Sequence, residues 1–216
     1  MNRREFIRNL TMATAGSAVI GTTGLADQGQ ADNIKGNNGK MKILVLTGSP
    51  RKGGNSATLA DYFIKGAREA GHSIERFDAA FKKVHPCIAC NSCGMDGPCV
   101  FKDDFEFVRR HIIDAACVVF ATPMYYFGIS AQLKAVIDRF YAINSSIHVP
   151  KKAVLLMTYA NTAASEAVPI KSQYEVLLKY LGWTDAGQVI ASGVWPVGAI
   201  AHTKYPEQAY QLGKHI

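Results

Sequence analysis

Two short segments of this chain gather residues whose types and spacing can do chemistry. The first is Gly48-Ser49-Pro50-Arg51-Lys52-Gly53-Gly54-Asn55-Ser56, which follows the apolar run Lys42 to Thr47 and precedes a segment of helical periodicity. Free N–H groups at a helix N-terminus, short hydroxyls and a forked guanidinium all hold a phosphate dianion, and this loop offers all three. The second is Cys87-Ile88-Ala89-Cys90-Asn91-Ser92-Cys93, which with Cys99 puts four thiols within thirteen residues. Short C-x2-C-x2-C steps let one loop curl round a 4Fe-4S cubane while a fourth ligand returns from farther along. Structural zinc, disulfides or redox thiols, and free thiols use the same residues and stay open at this level. Cys117 lies in an apolar run and reads as a small core residue.

The phosphate loop excludes two common nucleotide sites. A triphosphate loop needs Lys and then Ser or Thr after its second glycine, whereas Gly53 is followed by Gly54 and Asn55, and G-x-G-x-x-G is absent. A mononucleotide loop remains, and flavin mononucleotide (FMN) is the cofactor it points to; the competing reading is an ordinary Gly-rich turn. No Ser/His/Asp set, H-E-x-x-H or carboxylate pair appears, so the cofactor is expected to supply the chemistry.

The elements that must position these segments follow from periodicity. Lys42 to Thr47, Ser73 to Asp78, Ala116 to Ala121, Lys152 to Met157 and Gln188 to Val194 read as strands. Helices are predicted from the end of the phosphate loop to Ala70, over Asp104 to Ala115, Ser130 to Tyr141, Gln173 to Leu181 and Tyr205 to His215. Continuous apolar runs suit buried parallel strands, and strands alternating with helices imply an α/β, doubly wound, five-stranded parallel sheet. A mononucleotide loop after the first strand favours the order 2-1-3-4-5, the flavodoxin-like arrangement, here with a cysteine-rich loop inserted over 87–99.

The 216 residues suit one domain, and the first 26 read as separate from it. Asn2-Arg3-Arg4-Glu5-Phe6-Ile7-Arg8 and the mildly apolar stretch to Ala26 read as a cleavable signal of the twin-arginine type, which exports folded, cofactor-loaded proteins. Residues 27–40 read as a flexible linker and 41–216 as the FMN-binding domain. The chain carries a net charge of +7, and without the signal 21 basic and 16 acidic residues leave +5. No basic run interleaved with aromatics argues for nucleic acid, and after cleavage no stable membrane insertion is expected. A periplasmic location follows.

The strings TGSPRKGGNS, CIACNSCGMDGPCVFKDD, ATPMYYFGISAQLKAVIDRF and PEQAYQLGK together resemble the iron–sulfur flavoproteins of the flavodoxin-like NADPH-dependent FMN reductase superfamily, over about residues 41–216. The resemblance implies that Ser49, Arg51, Asn55, Ser56 and Thr58 meet the FMN phosphate. It places Pro123, Met124, Tyr125, Tyr126, Phe127 and Gly128 along the isoalloxazine ring, and it matches Cys87, Cys90, Cys93 and Cys99 to the ligands of a 4Fe-4S cluster. Thr158-Tyr159-Ala160-Asn161-Thr162 stands where relatives often carry a Gly-rich third flavin loop, with Tyr159 as a stacking or filling side chain. Relatives form homodimers or homotetramers, and Lys134, Asp138 and Arg139 are assigned either to such an interface or to a solvated helix face. The implied activity is electron transfer among a redox-partner protein or small electron acceptor, the cluster and FMN. The rivals are a cluster-free NAD(P)H-dependent flavin or quinone reductase and a non-enzymatic carrier.

Overall fold

The computed structural model describes residues 39–216; the predicted signal, and the predicted linker up to residue 38, lie outside the described residues. The strands are β1 (Lys42–Thr47), β2 (Ser73–Asp78), β3 (Cys117–Tyr125), β4 (Gly128–Ile129), β5 (Lys152–Thr158) and β6 (Thr184–Ala191). The helices are α1 (Asn55–Glu69), α2 (Phe105–Asp114), α3 (Ala131–Asp138), α4 (Asn144–Ile147), α5 (Val168–Leu181) and α6 (Tyr205–Lys214). Five strands pair in parallel in the order β2-β1-β3-β5-β6, and the two-residue β4 turns back antiparallel on the end of β3. This is the doubly wound, flavodoxin-like sheet that the alternation of elements predicts.

Period-2 alternation divides the central strands between two cores. Leu44, Leu46, Val118, Phe120, Leu155 and Met157 face one side, where Val108, Ile112, Leu133, Val136, Ile170, Tyr174 and Leu178 of α2, α3 and α5 cover them. Ile43, Val45, Val119, Ala121, Val154 and Leu156 face the other, under Leu59, Phe63 and Ala67 of α1 and Ala209 of α6. Burial on both faces is why β1, β3 and β5 read as unbroken apolar runs.

The last strand begins four residues earlier than its sequence pattern predicts. Thr184-Asp185-Ala186-Gly187 lies outside the predicted strand, yet it pairs with Lys152 to Val154 through a register shift between Ala153 and Val154. An edge strand need bury only part of its surface, so its polar half leaves no apolar signature. Helix α5 also starts ahead of expectation, at Val168, with proline in its first turn. No helix among the described residues is long and apolar enough to cross a membrane.

Candidate functional site

All five parallel strands point their carboxyl ends the same way, and ligands of such sheets bind outside those ends where the chain reverses direction of winding. Here β1 sits between β2 and β3, so the loop after β1 lies at that reversal. A cleft there is lined by Ser49, Arg51, Gly54, Asn55 and Ser56 after β1, Pro123 to Tyr125 at the end of β3, Thr158 to Ala160 at the end of β5, and Val194 and Trp195 beyond β6.

The phosphate end is built locally. Gly54 is the N-cap of α1 and supplies no side-chain cap, so amides of the first turn keep their donors for a ligand. A Cβ on Gly54 would collide with Ser49 Oγ, which is why the chain needs glycine at this approach. Ser49 Oγ accepts from Arg51 N and donates to Arg51 O, each at 3.3 Å, fixing the tight turn. Ser56 Oγ is buried without a hydrogen-bond partner in the protein. A buried hydroxyl left unmatched at a helix N-terminus fits an incoming phosphate oxygen, so the residues present suit FMN.

The loop after β6 closes the other wall. Asn55 Nδ2 donates to Val194 O at 3.2 Å and Pro196 O at 2.8 Å, while Oδ1 accepts from Gly198 N at 3.1 Å and Ile200 N at 3.4 Å. All four hydrogen-bonding positions of this amide are thereby used on loop 194–200. Arg51 Nη1 donates to Trp195 O at 3.2 Å, and its guanidinium lies 5.5 Å from the centroid of the Trp195 ring. Trp195 is 65% exposed, a large aromatic face at the cleft mouth.

Of the residues assigned to flavin from sequence, Ser49, Arg51, Asn55, Ser56, Pro123, Met124, Tyr125 and Tyr159 come together in this cleft. Thr58 does not: its hydroxyl donates to Gly54 O within α1. Tyr126, Phe127 and Gly128 lie outside the lining, because β3 runs on to Tyr125 and turns back into β4 through Tyr126 and Phe127 at φ 45° and 62°. Tyr126 is wholly exposed. Tyr159 is buried, with its hydroxyl donating to Ala163 O at 3.3 Å. Sequence reasoning missed Val194 and Trp195 as lining residues. Gly193-Val194-Trp195-Pro196 after the last strand was a usable signal, since every parallel strand delivers its following loop to the same edge.

The four clustered cysteines lie on the connection from β2 to α2. Its base is tied by Lys83 N to Asp104 Oδ2 at 2.7 Å and by His85 N to Asp103 Oδ2 at 2.9 Å. Its tip is tied by Asn144 N to Met95 O at 2.8 Å, Arg109 Nη1 to Gly97 O at 2.8 Å and Tyr141 Oη to Asn91 Oδ1 at 2.7 Å. Ala89, Asn91 and Met95 take positive φ, which such a curl demands at a cost in strain. Cys87, Cys90, Cys93 and Cys99 all line one small, almost wholly apolar cavity with Phe101 and Arg139. No disulfide joins the five cysteines, and no three His, Cys, Asp or Glu side chains among the described residues stand close enough to hold a metal ion. Hydrogen bonds from Ser92 lower the exposed Cys90 thiol toward its thiolate, the form that binds metal.

Arg139 departs from its assignment to an interface or a solvated face. It is 2% exposed and paired with Asp103 at 2.9 Å. Burial pushes the Asp103 carboxyl up, but hydrogen bonds from Arg139, His85 N and Phe105 N outweigh it and hold the group below the usual carboxylate range. A separate groove of about 240 Å³ between α3 and α5, lined by Leu133, Ile137, Leu177 and Tyr180, is nearly all apolar and does not resemble a phosphate site.

The comparisons agree with this geometry. An iron–sulfur flavoprotein of Archaeoglobus fulgidus is 31% identical over 180 residues, 82% of this chain and 79% of that protein. Iron-sulfur flavoprotein MJ1083 of Methanocaldococcus jannaschii is 35% identical over 99 residues, 46% of this chain and 51% of its own length, so the match spans about half of that relative. Among solved structures, the NAD(P)H:quinone oxidoreductase of Methanothermobacter marburgensis superposes with a TM-score of 0.65 at 19% identity, covering 82% of this chain and 96% of that one, a likeness of fold. Residues 41–196 match the NADPH-dependent FMN reductase family, and the chain belongs to it.

Proposed function

We propose that this flavin-dependent oxidoreductase works as an iron–sulfur flavoprotein, passing electrons between a redox partner, a 4Fe-4S cluster on Cys87, Cys90, Cys93 and Cys99, and FMN in the cleft at the strand ends. The observation that carries the proposal is the single apolar cavity shared by all four cysteines. The thiols surround a common space without converging on a point. The name of the Archaeoglobus relative supports the same reading.

When bound, FMN supplies hydride or single-electron transfer, and the cluster exchanges electrons one at a time. The chain supplies binding and orientation. Ser49, Ser56 and the amides opening α1 take the phosphate, Met124 and Tyr125 flank the ring, and Arg51 with Trp195 bounds the mouth. The ionisable residues lining the cleft are Arg51, Tyr125 and Tyr159, without a carboxylate or imidazole, so the lining offers no general base at neutral pH.

The acceptor class is a small oxidant such as a quinone, metal oxyanion or oxygen species. The twin-arginine-type leader argues for export to the periplasm after cofactor loading, where soluble nicotinamide is not expected and a redox-partner protein is the donor. Assembly as a homodimer or homotetramer is part of the same proposal. Replacing Cys93 with Ala tests it: the variant should lose its iron and keep its FMN. Iron content equal to the parent's would remove Cys93 from the ligand set. Flavin without iron in the parent protein would favour the cluster-free NAD(P)H-dependent reductase.

A further inference from the structure

Arg139 is the most deeply buried charged side chain among the described residues, at 2% exposure. A guanidinium leaves water only where its charge and its five donors are answered. Nη1 donates to His85 O and Asp103 Oδ2, each at 2.9 Å, and Nη2 reaches Asp103 Oδ1 at 3.3 Å and Phe101 O at 3.4 Å. The rings of Phe101 and Phe105 lie 5.5 and 4.7 Å from the guanidinium carbon. Nε remains, buried and without a partner. The same side chain lines the cavity that Cys87, Cys90, Cys93 and Cys99 share.

We infer that Arg139 is a positioning residue of the cysteine cavity, which both shapes segment 85–103 and raises the reduction potential of the centre held there. The inference rests on the proposed cluster. A centre on four thiolates becomes more negative on reduction, so a buried, permanently charged guanidinium lining its cavity favours the reduced form. Asp103, bonded to the guanidinium, opposes that effect and limits it. Removing Arg139 strips the cation and leaves the carboxylate, whereas removing the Asp103 charge leaves the cation unopposed. The two changes must therefore move the potential in opposite directions. A residue that merely holds the loop together would have both changes loosen the site alike.

The experiment is a redox titration of anaerobically prepared protein, followed by electron paramagnetic resonance of the reduced cluster, for the parent, Arg139→Gln, Arg139→Lys and Asp103→Asn, with iron counted in each. Expected are a lower midpoint in Arg139→Gln, a higher one in Asp103→Asn and an intermediate one in Arg139→Lys. The predicted size is about a tenfold change in the reduced-to-oxidised ratio at fixed potential, ~59 mV for one electron. If Arg139→Gln fails to fold, the opposite displacements of Asp103→Asn and Arg139→Lys carry the test. Midpoints that stay put, or move the same way, in proteins that hold iron would overturn the role of Arg139 alone. Parent protein without iron would instead overturn the cluster and this role with it.

Discussion

Ser56 is the residue at which folding leaves work for a ligand. Its hydroxyl is buried with no protein partner at the first turn of α1, so the ligand-free protein bears the desolvation of an unmatched group. Replacing it with Ala should raise the stability of the FMN-free protein by up to about 1 kcal/mol while weakening FMN binding roughly 10- to 150-fold, the scale of one hydrogen bond to a charged group. Urea unfolding without flavin and a fluorescence titration with FMN read the two effects. A variant that loses stability and keeps its affinity would contradict the phosphate role.

Cys117 gives a second prediction at this scale. Wholly buried in β3, its thiol is pushed up by burial from 9.0 to about 12. Between those values the unfolded chain loses a proton that the folded protein keeps. The contribution is therefore complete below about pH 8.5 and lost as pH rises toward the folded value, at up to about 1.4 kcal/mol per unit. Cys117→Ala should flatten the alkaline fall in unfolding free energy relative to the parent, and identical slopes from pH 8 to 10.5 would refute it. Lys151, lowered by burial, titrates in both proteins and cancels from the comparison, whereas Tyr174, raised by burial and Asp185, also feels the Cys117 thiolate, so the loss of that thiolate adds a smaller change of the same sign.

Among the elements, the junction between α1 and the loop after β6 decides whether the cleft has a second wall. Asn55 belongs to the phosphate loop by sequence, but its amide is committed to Val194, Pro196, Gly198 and Ile200. Asn55→Ala should cost about 2–4 kcal/mol, since four buried or half-buried backbone groups lose their partner, and it should free the segment bearing Trp195. Proteolytic cleavage near residues 193–200 should accelerate in the flavin-free variant. Unchanged cleavage with unchanged stability would mean that the clamp holds nothing. The phosphate loop itself is legible in the sequence because its glycines, hydroxyls and helix start are contiguous. Trp195 and the role of Asn55 are not, because contacts across about 140 positions arise only when β1 and β6 share a sheet edge. That Tyr126 and Phe127 form an exposed turn beyond the cleft lining was not legible for a related reason: aromatic composition gives no sign of where a strand turns back.

At the scale of the whole molecule, the central strands were readable because β1, β3 and β5 are buried on both faces and so remain apolar, and their order followed from the loop after β1, while the start of β6 was displaced because an edge strand tolerates Asp185 and Gly187. The proposed ligand set of the cysteine segment rests on spacing, whereas the placement of Arg139 in the same cavity gave no signal in the sequence. A basic residue closing a helix reads as solvated until Asp103, Phe101 and Phe105 are folded around it. The molecule thus presents two sites on one scaffold, a cleft at the strand ends and a thiol-lined cavity beside α2.

The central claim, that both sites are filled by redox groups in one working protein, is tested most directly by the visible spectrum of anaerobically purified protein together with its iron and acid-labile sulfide. Flavin bands over a broad iron–sulfur absorption are expected, with roughly four irons and four sulfides per chain. Flavin bands with iron near zero would contradict the claim.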